Sequence, residues 1–157
     1  MKALTVYQPW ASLIMEGFKP NEYRKWDFST KPALRNLIGQ RIVMHASARP
    51  VRRAEVSDLM ERITWAPEET GLTVSAPLFD FFDKVWKDPT CLPLSSALGT
   101  VIIGQPLPVA KIHAGLADSD RLDQHKFGWP VSEPVYFQPP RPMKGWQGFW
   151  NAPEGEP

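Results

Sequence analysis

Seventeen prolines in 157 residues put a ceiling on helix length before anything else is read. Proline lacks a backbone N–H and clashes with the preceding helical turn, so a chain punctuated this often favours short elements over long helices. It suits a β-rich, loop-rich domain with many turns. The 43% hydrophobic content is enough for one core, and the length suits a single domain over residues 1–157. Seven tryptophans in that space mean either a Trp-heavy core or an aromatic-lined pocket.

Between the prolines, short periodic segments are legible. Residues 3–6 read as a first strand with Leu4 and Val6 on one face. Pro9 then opens a helix in which Trp10, Leu13 and Ile14 recur at helical spacing, and Gly17 closes it. Residues 23–26 extend as a strand after Pro20, and residues 31–36 read as a loop. The continuous apolar run Ile42, Val43, Met44 makes residues 40–46 a buried strand. Residues 51–63 carry Val56, Leu59, Met60 and Ile63 on one helical face. Residues 65–98 form an insertion with one helix near 78–86, too short to bury a core of its own. Strand character returns over 99–112, bent at Gly104, and again over 133–138. Residues 113–126 are a polar surface helix or loop, the segment before Trp150 is turn chemistry around aromatic anchors, and residues 151–157 fray. About five short strands with two or three helices predict an α+β domain on a small barrel.

Several classes of function find no support. No apolar run is long enough to span a membrane, and the N-terminus lacks the pattern of a secretory signal, so a cytoplasmic location is expected. Cys91 is the single cysteine, and it sits in the insertion, a poor setting for a catalytic thiol. His45, His113 and His125 have no metal-ligand spacing, and GxSxG, P-loop and GxGxxG motifs are absent, so neither a metal nor a cofactor is expected.

Charge is distributed unevenly. Residues 1–53 hold ten Lys/Arg against three Asp/Glu, and the remainder hold eight against fourteen. That asymmetry is compatible with a positive face for an anionic ligand and equally with a solvated surface. The densest charges lie in GFKPNEYRKW, residues 17–26. On a strand, Glu22, Arg24 and Trp26 share one side and Tyr23 and Lys25 the other. If the first set faces inward, the domain buries a carboxylate with a guanidinium, which a fold has little stability reason to do. If Tyr23 faces inward, the charges are solvated; alternation alone does not choose. His45 and Ser47 end an apolar strand, where they either line a pocket mouth or are satisfied structurally. In the tail, Lys144, Trp146, Gln147 and Trp150 either hold a base and its phosphate or pin the C-terminal turn to the barrel.

Taken in order, LTVYQPWASLI (4–14), GFKPNEYRKW (17–26), IVMHAS (42–47), GTVIIG (99–104), FGWPVSEP (127–134) and PMKGWQGFW (142–150) resemble the ASCH family of the PUA-like superfamily. Residues 48–98 lie outside the resemblance. It implies a PUA-like β-barrel of five or six strands with short flanking helices, and a cleft beside the barrel. Carried over position by position, that cleft includes Gln8, Trp10, Lys19, Glu22, Arg24, His45, Ser47, Trp129 and Lys144. The resemblance implies RNA or a nucleotide-like or modified nucleoside as the ligand, with Trp10 or Trp129 as the stacking face.

Some members of that family are enzymes. One branch resembles an amidohydrolase of acylated cytidine that uses a Lys, a Thr and a Glu, and others carry ribonuclease activity. Lys19 matches the Lys, Glu22 stands at the Thr position, and the family's Glu has no clear counterpart here. Binding is therefore the first expectation. The alternative is a hydrolase of a modified nucleoside or RNA using Lys19 and Glu22. A further alternative is a protein-interaction module through residues 65–98, anchored on Phe79, Phe82 and Trp86.

Overall fold

The computed structural model describes residues 1–26, 31–112 and 127–153. The fold is α+β, with a curled mixed sheet forming a half-barrel and short helices beside it. The strands are β1 (Lys2–Val6), β2 (Asn21–Arg24), β3 (Arg41–Ala46), β4 (Ser96–Ile103), β5 (Leu107–Pro108), β6 (Phe127–Pro142) and β7 (Phe149–Asn151). The helices are α1 (Trp10–Met15), α2 (Pro32–Arg35), α3 (Arg53–Trp65), α4 (Ala76–Lys87) and α5 (Val109–Ile112). Six strands run in the order β2-β6-β4-β3-β1-β7, and β5 pairs with β6. Only β1 and β3 are parallel among these pairings.

The apolar run in β3 is explained by burial on both faces. Ile42, Met44 and Ala46 join the main core with Leu4, Val6, Ile14, Met15 and Trp129. Val43 points the other way, into a smaller cluster with Ala3, Ala97, Trp150 and Ala152. Helix α1 is the wedge between two cores: Ala11, Ile14 and Met15 face the barrel, and Leu13 faces a cluster built from α3 and α4. Its end is set by Gly17 at φ +79°, where the Phe18 N–H reaches back 2.9 Å to the Leu13 carbonyl. Glycine takes this left-handed conformation without the steric cost that a Cβ brings.

Several local expectations need correction. Residues 32–35 form one helical turn opened by Pro32 at its first position, where the missing N–H costs nothing. The segment after Gly104 is a two-residue strand followed by α5. β6 runs sixteen residues, far beyond residues 133–138. Beyond Val131 its strand pairings among the described residues are all to β4, which leaves one side of the ladder where prolines cost no hydrogen bond. Asn151 belongs to β7, and the Ala152 N–H donates to the Met1 carbonyl at 2.9 Å. Residues 113–126, with His113 and His125, lie outside the described residues. Among the described residues no helix is long and apolar enough to cross a membrane.

Candidate functional site

Where the N-terminal half of the sheet meets the C-terminal loop, a cleft of about 840 Å³ opens. That volume is in the range of small-molecule sites. Its walls come from β1 (Thr5, Val6), the turn into α1 (Tyr7, Trp10), the segment from Lys19 to Arg24, the end of β3 (His45, Ser47) and the loop Lys144–Gln147.

At its floor lies an ionic chain. Lys19 Nζ donates to Glu22 Oε2 at 2.7 Å and to the Asn21 carbonyl at 2.5 Å. Arg24 Nε stands 3.0 Å from Glu22 Oε1 as an ion pair, and its Nη2 donates to the Thr5 carbonyl at 3.1 Å. Side-chain exposure is 5% for Lys19, 9% for Glu22 and 24% for Arg24, so the chain grades from depth to mouth. The Lys19 ammonium also lies 5.0 Å from the Tyr23 ring centre and 5.9 Å from that of Trp10. Cation–π contacts of this length add to holding the charge in a dry place. Strict alternation along β2 does not survive: Glu22 and Tyr23 are both buried and both line the cleft. Trp26 lies beyond the strand and packs into the barrel, 5.2 Å from Phe149 by ring centres.

His45 is wired into the scaffold. Its Nε2 faces the Met143 carbonyl at 3.0 Å and its Nδ1 faces Thr5 Oγ1 at 3.2 Å. A carbonyl only accepts, so Nε2 carries a hydrogen. Trp150 Nε1 donates to Thr5 Oγ1 at 3.0 Å, which lets the Thr5 hydroxyl donate onward to Nδ1. The run Trp150, Thr5, His45, Met143 is then satisfied with one consistent direction. His45 is 2% exposed, and its bond to the Met143 carbonyl ties the end of β3 to the C-terminal loop. That loop comes so close that a Cβ at Gly145 would collide with the imidazole and the Thr5 hydroxyl. Trp150 accordingly pins the turn, and Trp146, 53% exposed, is the aromatic that faces outward.

Of the residues expected at the site, Trp10, Lys19, Glu22, Arg24, His45, Ser47 and Lys144 line this cleft together. Gln8 and Trp129 do not. Gln8 is fully buried; its amide donates to the Pro93 carbonyl at 2.9 Å and accepts from the Ser12 N–H at 3.1 Å, tying α1 to the loop before β4. It borders a separate cavity of about 240 Å³ against α3. Trp129 is 1% exposed in the barrel core against Trp26 and Phe149, so it presents no stacking face. Residues not foreseen at the site are Thr5, Val6, Tyr7, Tyr23, Ala48, Ser95 and Gly145. Ser95 has a left-handed backbone at φ 46°; its N–H donates to the Ser47 carbonyl and its carbonyl accepts from the Met143 N–H. Nothing in the residue types around it announces that bridge.

The interaction anchor expected on residues 65–98 also changes. Phe82 is fully buried with Leu78 and Val85 against α3, while Phe79 and Trp86 are 36% and 47% exposed. Burial pushes the Cys91 thiol up, with Lys84 pulling it weakly back, which makes it a poor nucleophile at neutral pH. Neither a protein-family model nor a curated protein matches the chain.

Proposed function

We propose that the cleft binds RNA or a nucleotide-like or modified nucleoside ligand, and that the chain is an ASCH-type module of the PUA-like superfamily. The observation that carries this reading is Glu22, a buried carboxylate held between Lys19 and Arg24 in the wall of a cleft. Replacing a buried ion pair by apolar groups is often neutral or stabilising, so stability alone does not account for it. A carboxylate accepts from the N–H groups of a base edge, and the neighbouring cations donate to carbonyl oxygens. Trp10 and Trp146 supply aromatic surface in the same cleft, and a base stacked on such a ring gains about 1–3 kcal/mol. Four of the six segments that carry the family resemblance, those at 4–14, 17–26, 42–47 and 142–150, contribute residues to this one cleft, which supports the family reading.

The test is calorimetric titration with nucleosides, modified nucleosides and short single-stranded RNAs. Saturable binding weakened about tenfold by Arg24→Ala is expected, the scale of one charge-assisted hydrogen bond. Binding equal in the variant, or absent with every probe, overturns the reading.

One observation favours hydrolysis as a second reading: the Lys19 ammonium and the Glu22 carboxylate touch inside the cleft. Lys19 would act on the scissile carbonyl and Glu22 would move the proton. Incubation with acylated cytidines and short RNAs, followed by product analysis, decides it: turnover abolished by Lys19→Ala supports the enzyme, and unchanged substrate rejects it for those compounds.

A further inference from the structure

We infer that the occupant of this cleft is a nucleotide carrying a phosphomonoester, with the base edge at the buried end and the phosphate at the mouth. This rests on the nucleotide-type reading above. The argument is the charge inventory of the walls. Among the described lining residues the cations are Lys19, Arg24 and Lys144, and the one carboxylate is Glu22. Glu22 is shared between Lys19 and Arg24, which leaves that cluster with one positive charge in excess. Lys144 adds a second, and it stands exposed with its ammonium 5.9 Å from the Trp146 ring centre.

The two excess charges lie toward the mouth. Lys19 and Glu22 are the least exposed of the set, Arg24 is more exposed, and Lys144 is on the rim. A neutral nucleoside would complement the floor and leave the rim uncompensated. A phosphodiester supplies about one negative charge, whereas a phosphomonoester carries about −1.5 to −2 near pH 7 and offers three acceptor oxygens. Of the two, the monoester is the group whose charge comes nearer to the excess. Arg24 is suited to it by its planar fork, and Lys144 as a mobile point charge. The polar loop from Lys144 to Gln147 adds donors beside it.

The experiment compares the four ribonucleosides with their 5′-monophosphates, and with inorganic phosphate alone, by calorimetry on the intact chain. The monophosphates are expected to bind at least about tenfold tighter than the matching nucleosides. That gap should narrow as salt rises, because the rim is exposed to screening. Lys144→Gln, a change at an exposed position, should close most of the gap. Equal affinity for nucleoside and monophosphate overturns this inference and leaves the nucleoside reading standing. A gap untouched by Lys144→Gln also overturns it. Inorganic phosphate binding as tightly as the nucleotides makes the rim a plain anion site and overturns it as well. If no nucleoside or nucleotide binds, the inference and the reading beneath it fall together.

Discussion

Glu22 separates what a residue does for the fold from what it does for the site. Removing it leaves the Lys19 ammonium in a pocket only 5% exposed, and an uncompensated buried charge costs about 3–5 kcal/mol. Glu22→Ala is therefore expected to lower the urea midpoint strongly. The double variant Lys19→Met, Glu22→Leu removes both charges and should recover most of that loss, yet bind no ligand. Urea denaturation and calorimetry on the three proteins check this; a double variant as unstable as the single one would make the pair a structural necessity. Thr5 shows a different economy. Its carbonyl accepts from Arg24, and its hydroxyl accepts from Trp150 and donates to His45. None of this was legible beforehand, because a threonine in an apolar strand carries no mark of the three segments that meet on it. Gln8 misled for the related reason that a buried amide with both ends engaged looks, in a sequence, like one that waits for a ligand.

Among the elements, α3 shows how a helix start can be made by unusual residues. Its N-cap is Arg52, which has no acceptor to give. Glu55 supplies half of a capping box, accepting from the Arg52 N–H at 3.0 Å, and its other oxygen meets Arg49. Burial pushes the Glu55 carboxyl up, but the Arg52 N–H and Arg49 together outweigh it and hold the carboxyl below its ordinary value. A carboxyl lowered in the folded state stabilises fully above its unfolded value, about 4.3, and that contribution fades as pH falls through the lower folded value. Comparing urea midpoints of the parent and Glu55→Gln, the difference is expected to be steady from neutral pH to about 5 and to shrink below about 4. A difference that persists at pH 3 would trace to shape rather than charge.

Elements with strong apolar periodicity were readable: β1, β3, α1, α3 and α4 sit within a few residues of where spacing put them. β6 was not, because Pro130, Pro134, Pro139, Pro140 and Pro142 read as breaks, and the one-sided pairing that accommodates the last four is a property of the sheet. The candidate site was legible where charge density or a strand end marked it, at Lys19 to Arg24 and His45 to Ser47. It was illegible where loops bring unremarkable residues together, as at Ser95 and Gly145.

At the scale of the molecule, the two cores share α1. Leu13 completes the cluster of α3 and α4, and Trp10 packs against both clusters while lining the cleft. Phe82→Ala should cost about 3–5 kcal/mol. Because the damage reaches α1, tryptophan fluorescence is expected to report one urea transition at a lower midpoint, with weaker ligand binding. Two separate transitions would show that the helical pair stands apart from the barrel. The same packing means that excising residues 65–98 uncovers Leu13, Val56 and Ile63, so a loss of partner binding in such a deletion would not by itself locate an interface.

The pairing of β7 with β1, Lys2 opposite Asn151 and Ala3 opposite Trp150, has a consequence in time. During synthesis the first strand emerges long before its last neighbour. A nascent chain that has reached Pro142 already holds Lys19, Glu22 and Arg24 but lacks Lys144, Trp146 and Trp150, and His45 and Thr5 are still waiting for partners. One wall of the cleft is missing until residues 143–151 have been made. On the proposed function, ligand capture would be reserved for chains that have been made through Asn151, and a product terminated before Lys144 would carry the charged floor without the C-terminal wall.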